Sequence, residues 1–234
     1  DELQPGISKL SLRTDAFRSG DKIEIVFESD DTEKAIASTV IPGTFPQYEL
    51  ELCKSSNAQR NIKIRYNDDP DTADWYAASV KWTGLQERYV GLDEPQIVEV
   101  RKQMIYPPTG YNDLLLEPES YSPIIVSFQG DYLYVWKDSE EEDNEYDLCF
   151  NYRSNWDGYV TSVKDAEVQC TLFKLSEEMY RYLFAEFDSW NNPFIEAGMS
   201  SPAFTYSNVR NGAGYLCGYS VVHSEWIKDN LFEE

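Results

Sequence analysis

Asp68, Asp69, Asp71 and Asp74 lie within the stretch Asn-Asp-Asp-Pro-Asp-Thr-Ala-Asp. A hard cation such as calcium draws several oxygens from a loop of this kind, so the cluster is a candidate cation site. The spacing departs from the EF-hand pattern, lacking its sixth-position Gly and twelfth-position Glu. The same residues also read as an acidic turn ahead of a strand opening at Trp75, with Asp side chains bonding local backbone. A second acidic run, Asp138 to Glu145, reads as a solvated hairpin tip. Two carboxylates about 5 to 10 Å apart across a cleft could hydrolyse a glycosidic bond, but no pair stands out among 42 Asp and Glu. The 17 Tyr and 6 Trp are more suggestive. Aromatic faces stack on sugar rings, and Trp156 and Tyr159, flanking Asp157-Gly158, are the candidate ligand-binding pair. Trp75-Tyr76 and the Tyr132/Tyr134/Trp136 set sit in strand patterns and read as core and edge.

Nucleophilic machinery is absent from the sequence. His223 is the one histidine, which leaves Ser-His-Asp and Cys-His arrangements without a base. No GxSxG, Walker loop or HExxH occurs. Gly212-Ala213-Gly214 begins like a dinucleotide fingerprint but belongs to no βαβ unit, and reads as a tight turn. The residues describe a non-enzymatic chain. Its four cysteines, Cys53, Cys149, Cys170 and Cys217, contain no CxxC pair, which argues against structural zinc. They are either half-buried free thiols or, in an oxidising compartment, disulfides with three alternative pairings. Strand parity favours Cys53–Cys149 and Cys170–Cys217.

The elements that must position these groups are mostly strands. Ile23, Ile25 and Phe27 alternate with Lys22, Glu24 and Val26, and Ile62, Ile64 and Tyr66 with Asn61, Lys63 and Arg65. Ala35–Ile41, Tyr48–Cys53, Trp75–Trp82 and Ile97–Met104 add four more, with Pro42-Gly43 and Pro46 as punctuation. This spacing predicts an immunoglobulin-like antiparallel β-sandwich over residues 1–105. A Pro- and Asn-rich crossing segment, 106–122, leads into a second β-rich region, 106–234, packed on the first or continuous with it. Its strands are Ile124–Phe128, Tyr132–Trp136, Tyr146–Tyr152 and Ala166–Leu175, with a closing strand over Tyr219–Ile227. One helix is expected at 176–190. Ser176 is its N-cap, Glu177 and Glu178 occupy the first turn, and Met179, Leu183 and Phe187 line one stripe.

With Asp and Glu at 42 against Lys and Arg at 20, the net charge is −22 over 234 residues, and the pI is near 4.3. Phosphate backbones and anionic lipid surfaces are repelled by such a chain, so nucleic acid is not an expected partner. At 41% apolar and 15% aromatic it can bury a substantial core. No apolar run approaches the ~20 residues that span a bilayer. The start, Asp-Glu-Leu-Gln-Pro-Gly, carries neither Met nor an apolar leader, which suits a mature protein whose signal peptide has been removed.

Three segments read together. The first runs from Asn61 through the Asp-Asp-Pro turn to Tyr76. The second is Leu175 to Leu183, containing Tyr-Arg-Tyr-Leu. The third begins at Asn192-Pro-Phe-Ile-Glu196 and continues through Ser207-Asn-Val-Arg-Asn-Gly-Ala-Gly-Tyr215 to Gly218-Tyr-Ser220. This succession resembles the Bacteroidetes lipoprotein family catalogued as domain of unknown function 4249, whose members carry "YRYL", "NPF-x-E" and "SNV-x-NG-x-G-Y-x-x-x-YS". The resemblance covers about residues 35 to 222 and is strongest after Leu175. It implies an exported outer-membrane lipoprotein, anchored through a lipidated Cys upstream of Asp1 and facing the periplasm or the exterior. It also implies an accessory role beside a TonB-dependent outer-membrane receptor in nutrient uptake, and it supplies no catalytic residues. Read physically, Asn211-Gly212 and Gly214 supply positive-φ turn positions and Asn208 satisfies nearby backbone. A carbohydrate-binding module, whose partner would be a glycan, is the alternative function; a two-carboxylate glycoside hydrolase is the third.

Overall fold

The computed structural model describes residues 17–29, 32–54, 59–69, 72–89, 94–103, 124–129, 131–137, 145–153, 160–191 and 206–229. Among them the chain is mainly β, with one helix. The strands are β1 (Lys22–Ser29), β2 (Thr32–Val40), β3 (Tyr48–Lys54), β4 (Gln59–Asn67), β5 (Trp75–Arg88), β6 (Gln96–Gln103), β7 (Ile124–Phe128), β8 (Asp131–Lys137), β9 (Glu145–Arg153) and β10 (Val160–Leu175). Helix α1 (Glu177–Asn191) follows, then β11 (Tyr219–His223) and β12 (Ile227–Lys228). Every strand pairing is antiparallel.

Three sheets result. β1 and β2 form a hairpin, β3-β4-β9 a three-stranded sheet, and β11-β10-β5-β8-β7 a larger sheet to which β6 and β12 add. Period-two alternation sets the faces. On β4, Ile62, Ile64 and Tyr66 are buried, while Arg65 is exposed. β5 is buried on both faces from Tyr76 to Val80, because it lies at the centre of the large sheet and both sides are covered. On one side Tyr76, Ala78, Val80 and Trp82 meet Ile62, Ile64 and Tyr66 of the small sheet. On the other, Ala77, Val126, Leu133 and Val135 meet Leu175 at the end of β10 and Met179 and Leu183 of the helix. The molecule is therefore layered as small sheet, large sheet and helix.

This arrangement corrects the expected division at residue 105. β4 pairs with β9, and β5 with β8 and β10, so both larger sheets draw strands from either side of that point. The sandwich is not confined to residues 1–105. The closing strand also differs from expectation, breaking into β11 and β12 at Ser224. There the Ser224 N–H donates to the Cys170 carbonyl at 2.8 Å, and its Oγ accepts from the Cys170 N–H at 2.9 Å. One residue thus satisfies the backbone of β10 while the chain leaves strand geometry.

Ser176 caps the helix, its Oγ accepting from the Met179 N–H at 3.2 Å. The same Oγ accepts from the Gly218 N–H at 3.1 Å, and the Ser176 N–H donates to the Gly218 carbonyl at 2.8 Å. The helix start is thereby tied to segment 206–218. Asn208 fixes that segment in turn, donating to the carbonyls of Ser38 and Leu216 and accepting from the Leu216 N–H at 2.8 Å. Asn211 and Gly214 adopt positive φ of 57° and 128°, as read from the sequence. Gly212 does not; its place is set by space, since a Cβ there would come within 3.0 Å of Val209.

Strand order puts β7 and β11 at opposite margins of the large sheet. Yet the rings of Phe128 at the end of β7 and Tyr219 at the start of β11 lie 6.4 Å apart. β8 pairs with β5 only over Trp75–Ala78, which frees the β7–β8 hairpin to swing round the helix. The sheet curls until its margins meet through side chains, with no pairing between β7 and β11 among the described residues.

Candidate functional site

The acidic cluster of the β4–β5 connection folds inward. Tyr76 donates its hydroxyl to Asp68 Oδ2 at 2.5 Å and lies 3.4 Å from Asp74 Oδ2. Lys174 stands opposite Tyr76 in the β10–β5 register. Its ammonium reaches Asp74 Oδ2 at 2.6 Å, with the two side chains only 17% and 13% exposed. Thr72 donates to the same oxygen at 3.0 Å, and the Asp69 N–H donates to Asp68 Oδ1 at 2.9 Å. Burial raises the Asp68 carboxyl above its ordinary range, opposed by the bonds from Tyr76 and Asp69. Burial, then the bond to Asp68, holds the Tyr76 phenol protonated far above its usual value. The lysine thus supplies the positive charge that a cation would bring. Asp69 is exposed, and Asp71 lies outside the described residues. Among those residues no three His, Cys, Asp or Glu converge as metal ligands. The arrangement can clamp the connection onto β10, but its central phenol is inaccessible to solvent.

Trp156 and Tyr159 lie outside the described residues. The expected Cys170–Cys217 disulfide is not formed, since both thiols are free. They occupy opposite faces of the large sheet: Cys170 faces the small sheet and Cys217 the helix. Cys217 Sγ contacts Met179 Sδ at 3.2 Å. Burial pushes the Cys170 thiol up; burial and then Glu178 push Cys217 up to about 11. For Cys53 and Cys149 the backbone is decisive. Cys53 pairs with Asn61 and Cys149 with Lys63 on opposite edges of β4. The intervening strand separates them by two strand spacings, about 9.5 Å, beyond the reach of about 7 Å between Cα atoms in a disulfide.

An assembly that strand-by-strand reading missed lies where the sheet margins meet. Tyr215 stacks on Tyr182 of the helix with centroids 3.9 Å apart and planes 26° apart. Tyr182 meets Phe128 at 6.4 Å, Phe128 meets Tyr219 at 6.4 Å, and Tyr219 meets Phe173 at 5.9 Å. The last three contacts are edge-to-face, the arrangement the ring quadrupole favours. Burial, a hydrogen bond with Tyr215 and the Glu186 carboxylate raise the Tyr182 phenol. At the two ends of this ladder Tyr215 and Tyr219 each remain 43% exposed. One sequence signal pointed here: Tyr182, Tyr215 and Tyr219 all belong to the motifs quoted above, although those motifs read as specifying a fold.

A second exposed surface is the β1–β2 hairpin. It is held by the Ile36–Arg210 bridge, by Asn211 donating to the Lys34 carbonyl and by Thr39 donating to Glu178 at 2.9 Å. Ile25, Val26, Phe27 and Val40 are 40–60% exposed, and among the described residues β1 pairs with β2 alone.

The sequence matches the family described as Domain of unknown function (DUF4249) over residues 5–225. The chain belongs to this family. No curated protein and no solved structure matches it. The DUF4249 match takes in every segment that builds the ladder, the clamp and the hairpin.

Proposed function

We propose that this DUF4249 chain is a non-enzymatic lipoprotein of the cell envelope, an accessory of a TonB-dependent outer-membrane transporter in nutrient capture. The observation that carries the reading is the β1–β2 hairpin, with its four exposed apolar side chains and an outer β1 edge that no other described strand pairs. Exposed apolar groups on an unpaired edge are an adhesive liability unless a protein partner covers them. Tied along β2 by Thr39, Asn208 and Asn211, the hairpin presents that surface without needing to refold. The resemblance to envelope lipoproteins encoded beside such receptors supplies the partner class, and a net charge of −22 disfavours nucleic acid.

The test is gentle affinity purification of the full-length lipidated protein from native outer membranes, with mass spectrometry of co-eluting proteins. The expected result is stoichiometric recovery of a TonB-dependent receptor, lost when Phe27→Asp places a charge on the hairpin. Reproducible recovery of the lipoprotein alone in mild detergent overturns the reading.

A further inference from the structure

We propose that the Tyr215–Tyr182–Phe128–Tyr219 ladder is a stacking platform for a neutral saccharide. This rests on the nutrient-capture reading and names the class of nutrient. The outer faces of pyranose rings present C–H groups polarised by the neighbouring oxygens, and these settle on the electron-rich face of an aromatic ring. Tyr215 and Tyr219 offer such rings at the two ends of one rigid assembly, each 43% exposed. Their neighbours Tyr182, Phe128 and Phe173 pin them in place, so little side-chain freedom is lost on binding.

Three observations select a neutral sugar over other occupants. The −22 charge repels anionic polymers. A cation would call for ring faces converging on one point, whereas Tyr215 and Tyr182 lie nearly parallel, 26° apart, and face each other. The two exposed ladder residues are phenols, which can hydrogen-bond sugar hydroxyls as well as stack.

The experiment titrates the folded chain with cellohexaose, maltohexaose, xylohexaose, mannohexaose and chitohexaose, following intrinsic fluorescence and calorimetry. Tetramethylammonium serves as a cation probe. We expect saturable binding of at least one hexasaccharide, weakened about tenfold by Tyr215→Ala or Tyr219→Ala. Tyr215→Phe and Tyr219→Phe keep the rings and most of the affinity, and Tyr132→Ala, at an exposed tyrosine elsewhere, changes nothing. Circular dichroism and melting curves identify any Ala variant that fails to fold, and then the Phe pair decides. A Phe pair that folds but no longer binds overturns the stacking platform, as does the absence of binding across the panel. So does binding unaffected by both Ala variants, or binding of tetramethylammonium in place of a sugar. Recovery of the receptor from native membranes is scored separately with the Tyr215→Ala/Tyr219→Ala protein. With the parent protein, a receptor recovered while no sugar binds sinks this inference alone, and a sugar bound without a receptor sinks the accessory reading alone. A receptor lost together with the two tyrosines, without sugar binding, makes the ladder a protein interface and overturns the saccharide.

Discussion

The Asp68–Tyr76–Asp74–Lys174 clamp and the Tyr215–Tyr219 ladder use overlapping chemistry to opposite ends. Both use a phenol joined by groups from a distant segment, and both lie against the large sheet. In the clamp, the Tyr76 hydroxyl meets Asp68, and Asp74 meets Lys174 and Thr72. The groups it gathers are answered from within the protein. In the ladder, Phe128, Phe173 and Tyr182 are half-buried while the terminal phenols stay open to solvent. Residue type therefore does not separate a structural cluster from a binding surface here. What separates them is how much of the chemistry the fold has already used.

The largest effect is expected at the clamp. Lys174→Met leaves two carboxylates facing one phenol without their cation, a loss of about 3 to 5 kcal/mol for breaking a largely buried pair. Urea denaturation of the single variant, of Asp74→Asn and of the combined variant measures the coupling. The double variant is expected to recover part of the stability. If Lys174→Met costs less than Asn208→Ala, the clamp is not the internally satisfied cluster described here.

Asn208→Ala comes next. It removes a side chain that serves the backbone of Ser38 and Leu216, for about 1 to 3 kcal/mol. Amide hydrogen exchange is expected to rise across residues 206–218 while the β5–β10 pairing stays protected. Uniform loss of protection would show that this segment does not act as a separable support for the ladder.

Much of the frame was legible in the sequence, because strand alternation and helix capping are local. Ile62/Ile64/Tyr66 and the Ser176 cap with its Met179/Leu183 stripe declared themselves by period alone. The sharing of sheets between the two halves was not legible, since β4–β9 and β5–β10 pairing joins segments far apart in sequence. The clamp was half legible: Asp68 and Asp74 stood out as a cation site, but Lys174, about a hundred positions away, gave no local sign that it would supply the charge. The ladder was least legible, because Phe128 meets Tyr219 only through the curl of a whole sheet. The Cys170–Cys217 pairing failed for a related reason: strand parity describes faces within one strand, whereas these thiols lie on opposite sides of the sheet.

A smaller and pH-dependent effect belongs to Asp68. Its carboxyl titrates above the ordinary Asp value because burial disfavours the charge. The folded state thus holds its proton more tightly than the unfolded chain does, and stability on this account falls as pH rises from the ordinary value through the raised one. Asp68→Asn keeps an acceptor for the Tyr76 hydroxyl and removes the titration. Relative to the parent, the variant is expected to gain stability at pH 7 and to gain none below the ordinary Asp value. Melting temperatures at the two pH values check this. A gain of equal size at both would assign the effect to packing and remove the carboxyl from the clamp's electrostatics.

The smallest effect is one of reactivity, and it probes the margin of the ladder without altering the fold. Cys217 is half-buried against Met179, with its thiol pushed up to about 11 by burial and then by Glu178. Thiolate is the reactive form, so alkylation by iodoacetamide at pH 8 should run well below the rate in the unfolded chain and climb toward pH 11. Cys170, fully buried on the opposite face of the sheet, should react only as fast as the protein unfolds. Mass mapping of each cysteine against time separates the two. Cys217 also lies within electrostatic reach of the Tyr182 phenol, so a saccharide seated on the ladder should slow its alkylation further and leave Cys170 unchanged. Equal slowing at both thiols would mean that the sugar stabilises the whole fold from some other place, and the contrast between a closed clamp and an open ladder would lose its functional half.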